Sequence, residues 1–170
     1  MSAEPAPELS RPLDIGQIGA AGETVVVEAD PAERAALAVR FGISAIGALS
    51  VTFRLSPPRD RVVAAAGLMS AQVTQVCVVT LEPFDATVEE AFDVLFVPAG
   101  TETDDDLGDP ETPDEIPYTG DRIDLGEAAA EQLALSLDPY PRKPGAALDE
   151  NGDPTPPSPF SGLSGRFRRD

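Results

Sequence analysis

The alternation of hydrophobic and polar positions predicts several strands before residue 98. Residues 48–55 alternate strictly, which is the period-two pattern of a strand with one buried face. That buried face is predicted to consist of Leu49, Val51, Phe53 and Leu55. Residues 23–28 contain three consecutive valines and residues 88–97 alternate again, so both are predicted strands. Residues 62–81 are rich in β-branched side chains but are interrupted by Gly67, which predicts two strands or one bent strand.

A first helix is predicted after the strand at residues 23–28. Residues 30–33 (Asp-Pro-Ala-Glu) supply an N-cap acid, a proline at the first helical position and a capping-box glutamate. The helix should end near Gly42. Leu37 and Phe41 are four residues apart and are predicted to face the core, with Arg40 in solvent.

A second helix is predicted after residue 123. Residues 124–127 (Asp-Leu-Gly-Glu) show a capping-box pattern, and an apolar row at four-residue spacing follows, ended by Pro139. The row consists of Leu125, Ala129, Leu133 and Leu137. Strands and helices together predict an α+β domain in which a mainly antiparallel sheet, from about residue 23 to residue 97, is packed by the two helices. A small, twisted, barrel-like sheet is the alternative.

Charge changes this picture in the second half of the chain. The 170 residues contain 30 acids and 12 bases, a formal charge of −18. Eight acids, two prolines and no base fall within residues 101–115, which predicts a mobile acidic loop at 99–115. Asp104, Asp105 and Asp106 are the candidate residues for steering a basic partner toward this loop. The same field repels phosphate backbones, so direct binding to RNA is expected to be weak.

The length and composition predict one domain with two tails. We expect a flexible N-terminus at 1–12, a single α+β domain at 13–145, and a flexible, proline-rich and disordered C-terminal tail at 146–170. The first residues lack the basic flank and the apolar stretch of a secretory signal, and no run approaches the ~20 apolar residues of a membrane span. The expected location is therefore the cytoplasm, without a membrane. The oligomeric state stays open.

The residue types that carry most catalysis are missing. The chain has no histidine and one cysteine, Cys77, so neither an intramolecular disulfide nor a Cys/His zinc site can form within it. No nucleophile elbow is present. Cys77 lies among valines in a predicted strand, which favours a buried, inert thiol. We therefore expect no enzymatic activity, no metal and no cofactor.

Three stretches carry a resemblance to a known family. They are residues 77–84 (CVVTLEPF), 123–127 (IDLGE) and 133–142 (LALSLDPYPR), with the acidic loop between the first and the second. In this combination the chain, over residues 49–145, resembles the bacterial YceD family of large ribosomal RNA subunit accumulation proteins. The resemblance implies a cytoplasmic protein required for normal accumulation of large-subunit ribosomal RNA, with no known enzymatic mechanism or cofactor.

The resemblance also selects candidate residues for contact with a partner. These family-motif residues are Leu81, Glu82, Pro83, Phe84, Asp124, Leu125, Gly126, Glu127, Pro141 and Arg142. A structural reading stands beside the functional one, since residues 81–84 can be a corner between strands and residues 124–127 a helix cap. Many family members have a second cysteine three residues after the first. Thr80 stands there in this chain, so a zinc-supported version of the fold does not carry over.

The function expected from charge and resemblance together is that of a non-enzymatic ribosome-biogenesis factor. It would support accumulation of large-subunit ribosomal RNA through contacts with a basic ribosomal or assembly protein of the large subunit. The alternative is a generic acidic adaptor or chaperone unrelated to ribosomes.

Overall fold

The protein is described by a computed structural model that covers residues 7–101 and 113–147. Seven strands and two α-helices follow one another in this part of the chain. They are β1 (Pro12–Asp14), β2 (Glu23–Glu28), α1 (Pro31–Phe41), β3 (Ala45–Leu55), β4 (Val63–Val76), β5 (Pro83–Pro98), β6 (Asp114–Tyr118), β7 (Arg122–Asp124) and α2 (Leu125–Ser136). A short 3-10 turn, Ile15–Gln17, follows β1. The acidic residues at 104–106 and the tail from residue 148 onward lie outside the described residues.

Five strands form one open sheet in the order β2-β3-β4-β5-β6. The neighbours are antiparallel except β5 and β6, which run parallel. β1 and β7 form a separate two-stranded antiparallel sheet. The α+β prediction with a mainly antiparallel sheet is confirmed, and the barrel-like alternative is wrong because β2 and β6 end the sheet on either side.

The helix predictions are confirmed in their positions. Asp30 caps α1 by accepting hydrogen bonds from the amides of Ala32 and Glu33, and the Glu33 carboxylate accepts from the Asp30 amide, so the capping box is complete. Gly42 ends the helix with a φ of 65°, in the left-handed region that favours glycine. Leu37 is buried as expected.

One row across the sheet explains the glycine within the long apolar stretch. Residues 63–76 form a single strand, in which Gly67 lies between Phe53 of β3 and Phe92 of β5. The two rings meet edge to face across it, with centroids 5.8 Å apart. A β-carbon on Gly67 would lie 2.2 Å from the Phe92 ring. Gly67 therefore makes room for an aromatic contact rather than ending a strand.

The N-terminal segment is part of the fold. Leu9 is fully buried, and the strand β1 pairs Leu13 with Ile123 of β7. The flexible segment predicted at 1–12 is therefore wrong for residues 9–12, and residues 1–6 lie outside the described residues. In the sequence, only the apolar character of Leu9 and Leu13 indicates that this segment is ordered. The segments that they contact are more than 100 positions away in the chain, so the contact itself is not visible in the sequence.

The predicted acidic loop ends earlier than expected. Asp114 and Glu115 are the first residues of β6, which lies parallel to the end of β5 with Asp114 opposite Val94. The loop boundary at residue 115 is corrected accordingly. Residues 113–117 contain prolines and acids, which are uncommon in strands, so the sequence does not predict β6. The strand forms because its backbone pairs with the edge of β5. Within the described ranges, no helix is long and apolar enough to cross a membrane.

Candidate functional site

The three family-motif stretches lie at the two ends of α2. Asp124 caps its first turn, while the segment after Ser136 runs to the turn between β4 and β5. A helix rises ~1.5 Å per residue, so its 12 residues separate the two ends by about 18 Å. The candidate residues therefore form two groups, which differ in what their side chains do.

The turn between β4 and β5 is closed by its own backbone. The Cys77 amide donates to the Glu82 carbonyl and the Leu81 amide donates to the Cys77 carbonyl, each at 2.9 Å. Leu81 has a φ of 59°, and this left-handed conformation costs a residue with a β-carbon about 1–2 kcal/mol. Its side chain is 77% exposed, so burial of the leucine does not offset that cost. Leu81 is therefore an exposed apolar residue in a strained backbone conformation, and it stays a candidate for a contact.

The segment after α2 is fastened to this turn. The Val78 amide donates to the Pro141 carbonyl at 2.9 Å, and the Lys143 ammonium donates to the Glu82 carboxylate at 2.9 Å. The hydrogen bond from Lys143 lowers the pKa of Glu82, and the same bond raises the pKa of Lys143. Residues 81–84 and 141–142, which are 57 or more positions apart in sequence, thus form one continuous surface.

Exposed apolar side chains cluster on this surface. We call it the turn surface and define it as Val76, Val78, Leu81 and Tyr140, which are between 44% and 77% exposed. Beside it lies an open groove between the end of α1, the end of β4 and the chain after α2. Its apolar lining includes Phe41, Ile43, Val76, Leu137, Pro139 and Pro141. The Gln75 side chain, almost completely buried, donates to the Asp138 carbonyl at 3.1 Å and holds one wall of this groove.

Cys77 lies beneath the turn surface. Its thiol is fully buried, as predicted, but the residue follows β4 and belongs to the turn rather than to a strand. The Thr80 amide donates to Sγ at 3.5 Å. Hydrogen bonding from Thr80, against the opposing effect of desolvation, lowers the pKa of Cys77 to about 6. The described residues contain no group of three or more Cys, Asp or Glu side chains arranged to hold a metal ion.

The other group, at the start of α2, is structural. The Asp124 carboxylate accepts hydrogen bonds from the amides of Gly126 (2.9 Å), Glu127 (3.2 Å) and Arg11 (2.8 Å), and from the Ser10 hydroxyl (2.6 Å). One carboxylate therefore caps the helix and also anchors the N-terminal segment. This supports the helix-cap reading of residues 124–127.

The remaining residues of this group are also part of the packing. Leu125 is fully buried, and a β-carbon on Gly126 would lie 2.8 Å from backbone atoms of residues 9–11, so only glycine permits that close approach. Glu127 does not complete a capping box, which corrects the sequence prediction. Its carboxylate instead forms an ion pair with Arg40 at 2.7 Å, and Arg40 is therefore not simply solvated. The Glu127 hydrogen bond raises the pKa of Arg40 further above its usual range.

The structure thus brings together one part of the predicted site and separates the other. Leu81, Glu82, Pro83, Phe84, Pro141 and Arg142 belong to the end that carries the turn surface, although Phe84 is half-buried at the start of β5. Val78, Tyr140 and Lys143 join them there and were not singled out from the sequence as contact residues. Their signal was weak, because isolated exposed apolar residues are common on protein surfaces.

The fold and this surface define a two-layer α+β protein, with an open sheet packed on one face by helices and an exposed apolar end. A sequence model described as large ribosomal RNA subunit accumulation protein YceD matches residues 65–163. The match covers more than half of the chain, which therefore belongs to the YceD family, as the resemblance indicated. It includes β4 from its third residue onward, β5 and α2, and with them the whole turn surface. Neither the curated proteins nor the solved structures that were searched produced a match.

Proposed function

We propose that this chain is a non-enzymatic ribosome-biogenesis factor that supports accumulation of large-subunit ribosomal RNA by binding a basic ribosomal or assembly protein. The family supplies the link to large-subunit RNA. A protein partner is favoured over RNA because several basic side chains are already paired with acids of the same chain. The turn surface supplies exposed apolar area for the contact.

The observation that carries the proposal is that the chain's own acids engage four of the nine basic residues in the described ranges. Arg11 pairs with Glu33, Arg40 with Glu8 and Glu127, Arg61 with Asp121, and Lys143 with Glu82. The other arginines of the described ranges are Arg34, Arg54, Arg59, Arg122 and Arg142, spread over different elements. Phosphate binding depends on clustered bases that can release counterions. A protein with a charge of −18 and engaged bases instead attracts a basic protein.

A capture experiment tests the proposal in cells. The tagged chain is expected to retain large-subunit proteins or their assembly factors, and to retain them after nuclease treatment. Capture of ribosomal material that disappears entirely with nuclease would contradict a protein contact. Capture of unrelated clients would favour the acidic adaptor instead.

Binding with purified components tests the electrostatic part. Association with a basic large-subunit protein should be faster and tighter at low salt, and should weaken when Asp104, Asp105 and Asp106 are changed to Asn. Fragments of large-subunit RNA should bind weakly under the same conditions. Tight RNA binding, or partner binding that neither salt nor the Asn changes alter, would contradict this mechanism.

Leu81→Gly separates contact from folding. Glycine adopts a φ of 59° without strain, so the variant is expected to melt within a few degrees of the wild type or above it. It removes an exposed apolar side chain from the turn surface, so capture of the partner should fall several-fold. Leu135→Gln, which alters another exposed leucine on α2 outside the turn surface, is the control and should leave capture unchanged. Full capture by Leu81→Gly would exclude Leu81 from the contact.

A further inference from the structure

The long strand β5 has an uncovered edge. β5 pairs with β4 from Pro83 to Phe96, but on its other side β6 pairs with it only from Val94 to Pro98. Among the described residues, no strand lies beside residues 83–93. Backbone groups on such an edge are a template for an additional strand.

The inner face of this edge offers half-covered apolar side chains. Ala86, Val88 and Phe92 pack against the core but are only partly buried, and the half-buried Phe84 lies in the same row, opposite Gln75 of β4. Their neighbours on β4, such as Ala71 and Val73, are almost completely buried. The core therefore thins toward the edge of β5. An added strand that placed apolar side chains at alternate positions would cover this row.

The outer face of the same edge is acidic. Asp85, Glu89 and Asp93 alternate with the apolar row, and β5 contains no basic residue. Glu90, opposite Met69 of β4, is the one acid within the inner row. Acids on an edge oppose pairing with a second copy of the same edge, because like charges would face each other. A strand with basic side chains on that face would instead be attracted.

The opposite edge of the sheet is less suited to this role. β2 is six residues long and carries two acids, Glu23 and Glu28. The guanidinium of Arg11 donates to the Glu28 carbonyl at 3.0 Å and so occupies part of that strand's backbone. β5 offers a longer free stretch and twice as many acids.

We propose that residues 83–93 of β5 bind an extended segment of the basic partner as an added strand, with basic and apolar residues alternating in the bound segment. The inference rests on the proposed function and specifies its surface and mode. Main-chain hydrogen bonds would supply affinity, and the two faces of β5 would select the alternating pattern. The turn surface lies at the Pro83 end of this edge, so one partner could contact both.

N-methylated peptides test the strand geometry. The probe is a peptide as long as the free edge in which lysine alternates with valine. In one derivative the backbone amides of the lysines are methylated. In the second derivative the backbone amides of the valines are methylated instead. In an added strand the amides of alternate residues point toward β5 and donate to it, whereas the amides between them point away. The derivative in which the donating amides are methylated should therefore lose affinity by more than about tenfold, because several hydrogen bonds are lost. The other derivative should bind like the parent peptide.

Amide exchange and charge variants locate the site. The parent peptide should slow exchange within residues 84–93. Glu89→Gln combined with Asp93→Asn should weaken binding several-fold at low salt. The matched control, Glu23→Gln combined with Glu28→Gln, removes the same charge from the β2 edge and should bind as the wild type does.

The outcomes separate this inference from the proposed function. Equal binding of the two methylated derivatives, or an equal loss from the β2 control, would overturn the strand-addition inference while basic-partner binding stood. Complete protection of residues 84–93 in the free protein would also overturn it, because the chain or a second copy would then cover the edge. Failure of basic large-subunit proteins and of the peptide to bind at all would remove the proposed function itself.

Discussion

Phe53→Asp is expected to unfold the domain or to leave it barely stable. Phe53 is fully buried, contacts the Phe92 ring, and lies in the middle of the sheet opposite Gly67 and Val25. Loss of a buried phenylalanine costs about 3–5 kcal/mol. A carboxylate without a partner adds a further penalty. Because a domain of this size is stable by only about 5–15 kcal/mol, most of its stability would be lost.

Thermal and denaturant melts provide the measurement. Gln72→Asp is the matched control, since Gln72 is exposed on the opposite face of β4 and a new acid there should change stability by less than about 0.5 kcal/mol. An unchanged melting temperature for Phe53→Asp would contradict the buried face of β3. Equal losses in the two variants would show that added negative charge, rather than burial, determines the effect.

Asp124→Ala is expected to destabilise the domain by about 2–4 kcal/mol. Its carboxylate accepts hydrogen bonds from Gly126, Glu127, Arg11 and Ser10, which join α2 to the N-terminal segment. Loss of an N-cap alone costs about 0.5–2 kcal/mol, and each further hydrogen bond contributes about 1 kcal/mol. Denaturant unfolding should show the loss, and amides of residues 9–11 should exchange faster.

Asp124→Asn is the control for this prediction. An asparagine oxygen can still accept from the three amides that Oδ1 serves, and the amide nitrogen can donate to the Ser10 hydroxyl. The Asn variant should therefore retain most of the stability. If Asn and Ala were equally destabilising, the negative charge rather than the hydrogen-bond pattern would hold this junction. If neither changed stability, the junction would not contribute to the fold.

The two groups of family-motif residues are thus expected to respond differently. Variants at Asp124 and Gly126 should lower stability, because these residues cap α2 and admit the backbone of residues 9–11. Variants at Leu81 should change partner capture with little effect on folding. Loss of function on its own would not distinguish these cases, so each variant requires a melt beside its binding assay.

The sequence predicted well whatever depends on neighbouring residues. The capping box at residues 30–33 and the alternation at 48–55 are local patterns, and each corresponds to the expected element. The strand β6 was missed because its pairing with β5 overrides a sequence with little strand character. The turn surface was predicted only in part, since Tyr140 is brought to Val78 and Leu81 by the hydrogen bond from the Val78 amide to the Pro141 carbonyl, which spans more than 60 positions.

The sequence by itself determined the helices, the main strands, the acidic character and the family of this protein, because hydrophobic period, capping residues and charge act over a few positions. Only the tertiary structure decided the order of the sheet, the burial of Leu9, the role of Gly67 and the free edge of β5. The physical reason is that each of these depends on which distant backbone lies alongside. The residue pattern of a strand does not show whether neighbouring strands pair with both of its edges or with only one.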